Sequence, residues 1–177
     1  MIAVLQATIT KLSHAMMRTL AAWTDHVRQG KYEGHDAAIK IFNTGLHAAL
    51  DAFATDLAAH KALDRVQPPL TVKLLGTGLM EHLHPPAPFI ALAMAGPAVS
   101  VMVTDPQCIE TAWCARAEAL VKRVHAQHYL HGDLRPEHFR QTADGHLLLI
   151  DLDRCKPSSD AAEHDEEWHA FLRQHMS

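Results

Sequence analysis

The sequence predicts an α+β fold, in which a part rich in strands is followed by a part rich in helices. Two short apolar runs, at residues 36–42 and 88–96, have the composition of buried strands. Two longer stretches, at about 46–66 and 106–128, carry apolar residues at helical spacing. The mixture of short strands and long helices indicates the α+β class.

Composition is typical of an intracellular protein with a single domain, which we place at residues 1–177. The 177 residues are 48% apolar, so the chain can bury a core. A formal net charge of −4 offers no basic field for nucleic acid. Three unpatterned cysteines suggest reduced thiols. Without a signal peptide or about 18 consecutive apolar residues, we expect a cytoplasmic protein and no membrane span.

The first thirty residues favour an amphipathic helix. Their apolar side chains recur every three or four positions, as a helix that packs one face on a core requires. The residues of this stripe are Leu5, Ile9, Leu12, Met16, Leu20, Trp23 and Val27.

The next predicted element is a strand from Asp36 to Phe42 with one lysine, Lys40, inside its apolar run. By itself this pattern is also that of an edge strand with a solvated lysine. A helix follows from about Leu46 to Val66. Asp56 within it is either a solvated carboxylate or a partner for a buried cation.

Two further strands complete the first part of the chain. Residues 70–75 are predicted to form a strand that ends in a turn at Gly76 and Gly78. Residues 88–96 form a buried strand that ends in a break. The segment His82 to Pro88, rich in His and Pro, joins these strands within one lobe.

The second part begins with a helix from about Pro106 to His128. His125, His128 and His131 lie three residues apart, which raises the possibility of zinc, but no CxxC or HExxH pattern accompanies them. We therefore prefer a structural or surface role for this trio.

The chain ends in a last predicted helix. Ser158 or Ser159 can cap its N-terminus. Trp168, Phe171 and Leu172 share one face of it, so this face is expected to pack on the body of the protein.

The most informative segment runs from His131 to His138 and reads HGDLRPEH. A turn and the apolar run 147–150 follow, and then Asp151. One carboxylate, Asp133, thus lies on a loop and a second lies at a strand end. Phosphoryl transfer needs one carboxylate to orient a hydroxyl and take its proton and another to hold a metal ion. The sequence therefore indicates phosphoryl transfer.

These motifs resemble the protein-kinase-like superfamily, in particular its small atypical, fungal and small-molecule kinases. The resemblance implies a minimal two-lobed fold. About residues 1–96 would form a small lobe with an antiparallel sheet, and about 97–177 a truncated helical lobe. The lobe boundary would lie between Gly96 and Asp105, beside the nucleotide.

The resemblance also implies roles for individual residues. Asp133 matches the catalytic base, Asp151 the magnesium ligand and Lys40 the lysine on the α- and β-phosphates. Asp56 stands in register with the family's Glu that holds this lysine. Four residues from Ala93 to Gly96, Ala93 and Ala95 among them, match the backbone that holds adenine.

Several positions depart from the family pattern. His138 stands where the family has Asn as a second metal ligand, and it either binds the metal or is an ordinary loop histidine. Asp153 replaces a Gly, as in many small-molecule kinases. The resemblance places a β-hairpin with a Gly-rich loop near the N-terminus, yet no Gly precedes Gly30.

The resulting functional hypothesis is a phosphotransferase that uses ATP and Mg²⁺ or Mn²⁺ and phosphorylates a hydroxyl group of a small molecule or a protein. The alternative is a pseudokinase that binds nucleotide or protein partners without catalysis. The missing Gly-rich loop, Asp56 in place of Glu and His138 in place of Asn favour this alternative. A third possibility is a His-rich metal-binding domain unrelated to kinases.

Overall fold

The computed structural model of the protein describes residues 25–98 and 106–175. The described residues form an α+β fold of small kinase-like type, as the sequence predicts. We call residues 25–98, which contain a four-stranded antiparallel sheet and one helix, the sheet lobe. We call residues 106–175, which contain two helices and short strand pairs, the helical lobe.

The sheet has the strand order β1-β2-β4-β3, with every neighbouring pair antiparallel. Its strands are β1 (Asp25–Tyr32), β2 (His35–Phe42), β3 (Leu74–Met80) and β4 (Ala87–Ala93). Glu33 and Gly34 both have positive φ, which is the backbone conformation of the tight turns that join twisted hairpin strands. They connect β1 to β2.

The sequence favoured a helix in the N-terminal region, whereas the kinase resemblance implied a β-hairpin. In the described part of this region the structure has the hairpin. Val27 lies in β1 and its side chain is 61% exposed, so the helical assignment of this residue is wrong. The spacing of Val27 from Trp23 fits a helical pattern, but Val27 belongs to a strand in which exposure alternates. The rest of the predicted stripe, and the position of any Gly-rich loop before β1, lie outside the described residues.

Lys40 lies in a central strand. It pairs with Val27 of β1 on one side and with Ile90 of β4 on the other. The edge-strand interpretation of this lysine is therefore wrong, because β2 has a hydrogen-bonded neighbour on each side.

The third strand begins later than the sequence predicts. Gly76 and Gly78, expected to form a turn, lie inside β3. A Cβ atom on Gly76 would lie 2.2 Å from the Tyr32 hydroxyl oxygen, and one on Gly78 would lie 2.8 Å from a ring carbon of Phe89. These glycines make room for two aromatic rings that pack against the sheet, and a turn signal was therefore misleading here.

Residues 70–73 contact the helical lobe instead of extending β3. The Leu149 N–H donates to the Leu70 carbonyl at 2.8 Å, and Thr71 forms a parallel bridge with Leu149. The segment between β3 and β4 connects two strands of one sheet, as predicted for the linker rich in His and Pro.

Three helices are described: α1 (His47–Leu63), α2 (Pro106–His125) and α3 (Ala161–His175). The N-cap of α3 differs from the prediction, because the Asp160 side chain accepts the Ala162 N–H at 2.8 Å. Ser158 instead accepts the Asp160 N–H at 3.2 Å, which orders the segment before the helix.

Short strands frame the loop that carries Asp133. They are β5 (Tyr129–Leu130), β6 (Phe139–Gln141), β7 (Leu147–Leu149) and β8 (Lys156–Pro157). β5 pairs with β8 and β6 pairs with β7, both antiparallel. The β6–β7 hairpin reverses the direction of the chain, so Asp151, which follows β7, lies close to the loop that carries Asp133.

The main core lies in the helical lobe. The rings of Trp113, Phe139 and Phe171 are mutual neighbours, with centroids 5.4–6.0 Å apart. Trp168 and Phe171 are buried, so α3 packs on the body as its sequence predicts. Leu63 of α1 belongs to the same core, which therefore also contacts the sheet lobe.

No helix in the two described ranges combines the length and the hydrophobicity that crossing a membrane requires. Neither Cys114 nor Cys155 forms a disulfide bond among the described residues, as composition suggests. The side chain of Cys108 lies outside the described part of the chain.

Candidate active site

Lys40 lies at the centre of a cluster of carboxylates. Its Nζ atom is 2.9 Å from Asp56 Oδ2 and 3.5 Å from Asp153 Oδ2, and it also forms an ion pair with Asp151. The lysine side chain is only 4% exposed. A buried ammonium group requires such partners, because water no longer solvates its charge.

Asp56 reaches Lys40 from the buried face of α1. Its side chain is 1% exposed, so the solvated interpretation of this carboxylate does not hold. Aspartate is one methylene shorter than the glutamate of the kinase pattern. In this chain the short side chain still spans the gap between α1 and β2.

Asp151 stands just after β7 with a positive φ of 65°. This conformation is unusual for a residue with a side chain and costs on the order of 1 kcal/mol. Burial alone would raise the pKa of Asp151, but the adjacent Lys40 ammonium group outweighs it and lowers the pKa below its usual value. The carboxylate is therefore charged at neutral pH.

The loop with Asp133 depends on a glycine. Gly132 has a φ of 80°, and a Cβ atom there would lie 2.2 Å from the Arg154 carbonyl oxygen. The neighbouring Asp133 side chain is 28% exposed, and its carboxylate is 3.9 Å from the Arg154 guanidinium group. Asp133 thus remains accessible on a loop whose backbone is closely packed.

His131 joins the Asp133 loop to the strand end before Asp151. Its Nε2 atom donates to the Ile150 carbonyl at 3.0 Å, and its Nδ1 atom accepts the Asp133 N–H at 3.4 Å. The second contact requires the neutral imidazole, because a protonated Nδ1 could not accept, and burial lowers the pKa of His131. A single buried side chain therefore holds both carboxylate-bearing segments.

His138 makes a second connection between the same two segments. Its Nδ1 atom is 2.9 Å from the Asp133 carbonyl oxygen, and its Nε2 atom is 3.4 Å from Asp151 Oδ2. The Ile150 N–H donates to the His138 carbonyl at 3.0 Å. The structure thus brings His138 directly to Asp151.

Glu167 of α3 is a site residue that the sequence analysis missed. It accepts the backbone N–H groups of Gly132 at 2.6 Å and His131 at 3.3 Å, and it contacts His125 Nε2 at 2.7 Å. Burial would raise the pKa of Glu167, but these donors outweigh burial and lower it. A charged glutamate thereby ties the Asp133 loop to α2 and α3.

His60 is the second residue that was missed. It lies one turn after Asp56 on α1, is fully buried, and has its Nε2 atom 3.3 Å from Asp56 Oδ1. Burial, aided by the nearby Lys40 charge, lowers the pKa of His60 to about 4. The i, i+4 spacing of Asp56 and His60 was the sequence signal that could have found this contact.

The histidine trio does not converge. His125 contacts Glu167, His131 contacts Ile150, and His128 occupies a turn with a φ of 61°. Within residues 25–98 and 106–175 no three His, Cys, Asp or Glu side chains are arranged to hold a metal ion by themselves.

The end of β4 offers only part of the predicted adenine-binding backbone. The Ala93 N–H donates to the Lys73 carbonyl at 2.9 Å and is therefore already engaged. Ala95 makes no such hydrogen bond to another described residue, and it packs beside a partly buried apolar surface. Ala38 of β2 and Ile150 belong to this surface.

A groove of about 630 Å³ opens beside Asp133, between its loop and α3. Its polar lining is mostly acidic. The charged residues around it are Asp133, Lys156, Asp160, Glu163, Glu166 and Glu167.

Comparison with known families shows a similarity to a kinase family in the second part of the chain. Residues 100–176 match the profile of the Lipopolysaccharide kinase (Kdo/WaaP) family, which is part of the protein-kinase-like superfamily. A comparison of the chain with curated proteins found no match.

The matched range confirms the resemblance to kinases that the sequence indicates. It contains Asp133, His138, Asp151 and Glu167 but neither Lys40 nor Asp56. The contact of Lys40 with Asp151 is therefore an observation independent of the family match.

Proposed function

We propose that this protein is an ATP- and metal-dependent phosphotransferase that acts on a hydroxyl acceptor. The match to a kinase family supports kinase-like phosphoryl transfer in general terms. The observation that carries the specific proposal is the meeting of Lys40, Asp56 and Asp151, which come from three different elements of both lobes. A cation and carboxylates at such a junction suit a nucleotide triphosphate with its metal ion.

In this proposal Lys40 contacts the nucleotide phosphates. Asp56 holds the ammonium group from α1. Phosphate oxygens would replace Asp151 as the second partner of Lys40 when the nucleotide binds. This exchange frees the Asp151 carboxylate for the metal.

Asp151 is the proposed protein ligand of Mg²⁺ or Mn²⁺, and Asp153, two residues on, is close enough to assist it. Such ions are held in kinases by one or two carboxylates together with phosphate oxygens and water, so few protein ligands are needed. The metal would neutralise charge on the phosphoryl group during transfer.

Asp133 is the proposed catalytic base. Its carboxylate would accept the proton of the acceptor hydroxyl while the oxygen bonds to the γ-phosphorus and the bond to the β-phosphate oxygen breaks. Its partial exposure allows access, and the hydrogen bonds of His131 and Glu167 fix the loop in place. Such fixed positioning is the main contribution a protein makes to this reaction.

The adenine ring would lie on the apolar surface that includes Ala38, Ala95 and Ile150. Small side chains on this surface leave room for a flat ring. The backbone of Ala95, and not the engaged N–H of Ala93, would supply the hydrogen bonds.

The acceptor would enter the groove between the Asp133 loop and α3. The family name points to lipopolysaccharide, so sugar hydroxyls are the first acceptor class to test. The predominance of carboxylates in the groove should disfavour acceptors with phosphate or carboxylate groups next to the reacting hydroxyl. Neutral sugars and sugars with amino groups fit this charge better.

The experiment is phosphoryl transfer from γ-labelled ATP to a panel of sugars, measured for the wild type and for Asp133→Asn. We expect the substitution to reduce turnover at least about a hundredfold and to leave nucleotide affinity unchanged, because it removes only the proton acceptor. Asp144→Asn is the matched control, since Asp144 is a 70% exposed carboxylate on a turn of the same lobe. Equal transfer by the wild type and Asp133→Asn would contradict the proposal.

The alternative is a binding module without catalysis, and one observation favours it. His138 occupies the position of the family's Asn beside Asp151, and imidazole is a poor ligand for magnesium. In that case the protein binds nucleotide or a protein partner, and Asp133→Asn changes nothing measurable. The same transfer assay therefore separates the two functions.

A further inference from the structure

The hydrogen bond of His138 to the Asp133 loop determines which ring nitrogen carries a proton. A carbonyl oxygen can only accept, so His138 Nδ1, 2.9 Å from the Asp133 carbonyl, must be the donor. In the neutral ring the proton is then on Nδ1, and Nε2 carries a lone pair.

That lone pair faces a carboxylate. His138 Nε2 lies 3.4 Å from Asp151 Oδ2, while Oδ1 of the same carboxylate is the atom paired with Lys40. Two acceptor atoms at this distance repel each other unless a cation lies between them. The cation is either a proton on Nε2 or a metal ion.

The distance suits a metal ion. Two ligand atoms at about 2.1–2.2 Å from one ion lie between about 3.0 and about 3.5 Å apart for right-angled to tetrahedral arrangements. A histidine ligand also commonly donates its second ring N–H to a backbone carbonyl, which fixes the ring orientation. His138 has this arrangement.

We propose that His138 Nε2 and Asp151 Oδ2 together bind the catalytic metal ion, and that His138 shifts the preference of the site from magnesium to manganese. This inference rests on the proposed function. Magnesium strongly prefers oxygen ligands, whereas a divalent transition metal gains affinity from an imidazole nitrogen. Manganese combines this gain with affinity for the oxygens of Asp151 and the phosphates.

The burial of His138 supports this assignment. Its side chain is only 10% exposed and stacks on the buried His131 ring, with centroids 5.7 Å apart. The ring therefore cannot turn away from Asp151 without breaking its bond to the loop.

The first test measures the ligands of Mn²⁺ by pulsed electron paramagnetic resonance on the full chain, with Mn²⁺ alone and with Mn²⁺ and ADP. We expect modulation from a directly bound imidazole ¹⁴N in the wild type. It should disappear in His138→Asn and persist in His146→Asn. His146 is a matched control because its Nε2 is also 3.4 Å from a carboxylate oxygen, of Asp144, but on an exposed turn.

A second measurement compares the affinities for the two metals by titration in the presence of ADP. His138→Asn should weaken Mn²⁺ binding about tenfold and leave Mg²⁺ binding equal or tighter, because it replaces a nitrogen with an oxygen ligand. A wild type that binds Mn²⁺ with nucleotide but without nitrogen modulation would overturn this inference and leave the proposed function intact. A wild type that binds neither metal, with or without ADP, would overturn both.

Discussion

At the scale of single residues, the contact of His60 with Asp56 explains how a short carboxylate can serve as the partner of Lys40. Asp56 uses Oδ2 for the lysine, and Oδ1 faces His60 Nε2 at 3.3 Å. The buried imidazole ring lies against Oδ1 and limits the rotation of the carboxylate. The pair therefore stays aligned although aspartate has one methylene fewer than glutamate.

The buried His60 predicts a loss of stability in mild acid. Its pKa is about 4 in the folded protein, against 6.5 for an ordinary histidine. Between these values the unfolded chain binds a proton that the folded chain does not, so acid favours unfolding. The stability that the neutral His60 contributes is fully present above pH 6.5. Below that pH the free energy of unfolding falls by about 1.4 kcal/mol per pH unit, and the total loss is about 3 kcal/mol near pH 4.

Urea unfolding at pH 7.0, 6.0 and 5.0 measures this loss. His60→Gln removes the titrating group and keeps a donor, so its free energy of unfolding should depend less steeply on pH than that of the wild type. His131 is also buried and keeps part of the slope in both proteins. His169→Gln, at an exposed position of α3, should retain the wild-type slope. Identical slopes for His60→Gln and the wild type would refute the role of His60.

The sequence predicted some site residues and missed others for a physical reason. Asp133 and Asp151 stand in a local motif, so their positions could be read from neighbouring residues. Glu167 and His60 contact the site only through the tertiary packing of α3 and of α1. From sequence alone a glutamate on a helix is expected to be solvated, because the loop that Glu167 binds is distant in sequence.

At the scale of elements, α3 acts as a support for the Asp133 loop. Glu167 accepts two successive backbone N–H groups of that loop, from His131 and Gly132, and His125 binds the same carboxylate from α2. Trp168, the next residue, is buried in the core and so fixes the position of the glutamate. The last helix thus positions the loop through its backbone N–H groups.

We expect Glu167→Gln to loosen the loop. A hydrogen bond to a charged group contributes about 1.5–3 kcal/mol, and the neutral amide accepts less strongly and places a donor among donors. Amide hydrogen exchange at His131 and Gly132 should accelerate about tenfold or more, and phosphoryl transfer should fall with it.

Glu166→Gln provides the control for this experiment. Glu166 is the neighbouring glutamate, is 66% exposed and pairs with Arg173 on the surface. It should leave amide exchange at His131 and Gly132 unchanged. Unaltered exchange at Gly132 in Glu167→Gln would show that α3 does not hold the loop.

The elements themselves were predictable where periodicity was long and ambiguous where it was short. The three described helices lie within or close to their predicted ranges. The sequence prediction ended β3 too early because Gly76 and Gly78 are typical of turns. In the structure these two glycines lie within the sheet and make room for the rings of Tyr32 and Phe89. Such close approaches of rings to a backbone arise from tertiary structure and leave no local pattern.

At the scale of the whole molecule, the two lobes meet at the candidate site. Leu148 of the helical lobe packs in one core cluster with Phe42 and Ile90 of the sheet lobe. Lys40 pairs with Asp151 across the same junction. The antiparallel sheet, the order of elements and the two lobes followed from the kinase resemblance, whereas the contacts between lobes required the structure.

We propose that this junction binds ATP together with a divalent metal. A thermal-shift titration tests it most directly, because a ligand that binds only the folded state raises the melting temperature by mass action. ATP at millimolar concentration is added with Mg²⁺, with Mn²⁺ and without metal. Asp151→Asn, Lys40→Met and the control Asp144→Asn are measured beside the wild type.

We expect a metal-dependent rise of several degrees for the wild type and Asp144→Asn, since 1 kcal/mol of binding energy shifts the melting temperature by about 2–4 °C in a domain of this size. Asp151→Asn should lose the dependence on metal, and Lys40→Met should lose most of the response to ATP. An unchanged melting temperature of the wild type at millimolar ATP with either metal would show that the junction does not bind ATP with a metal ion.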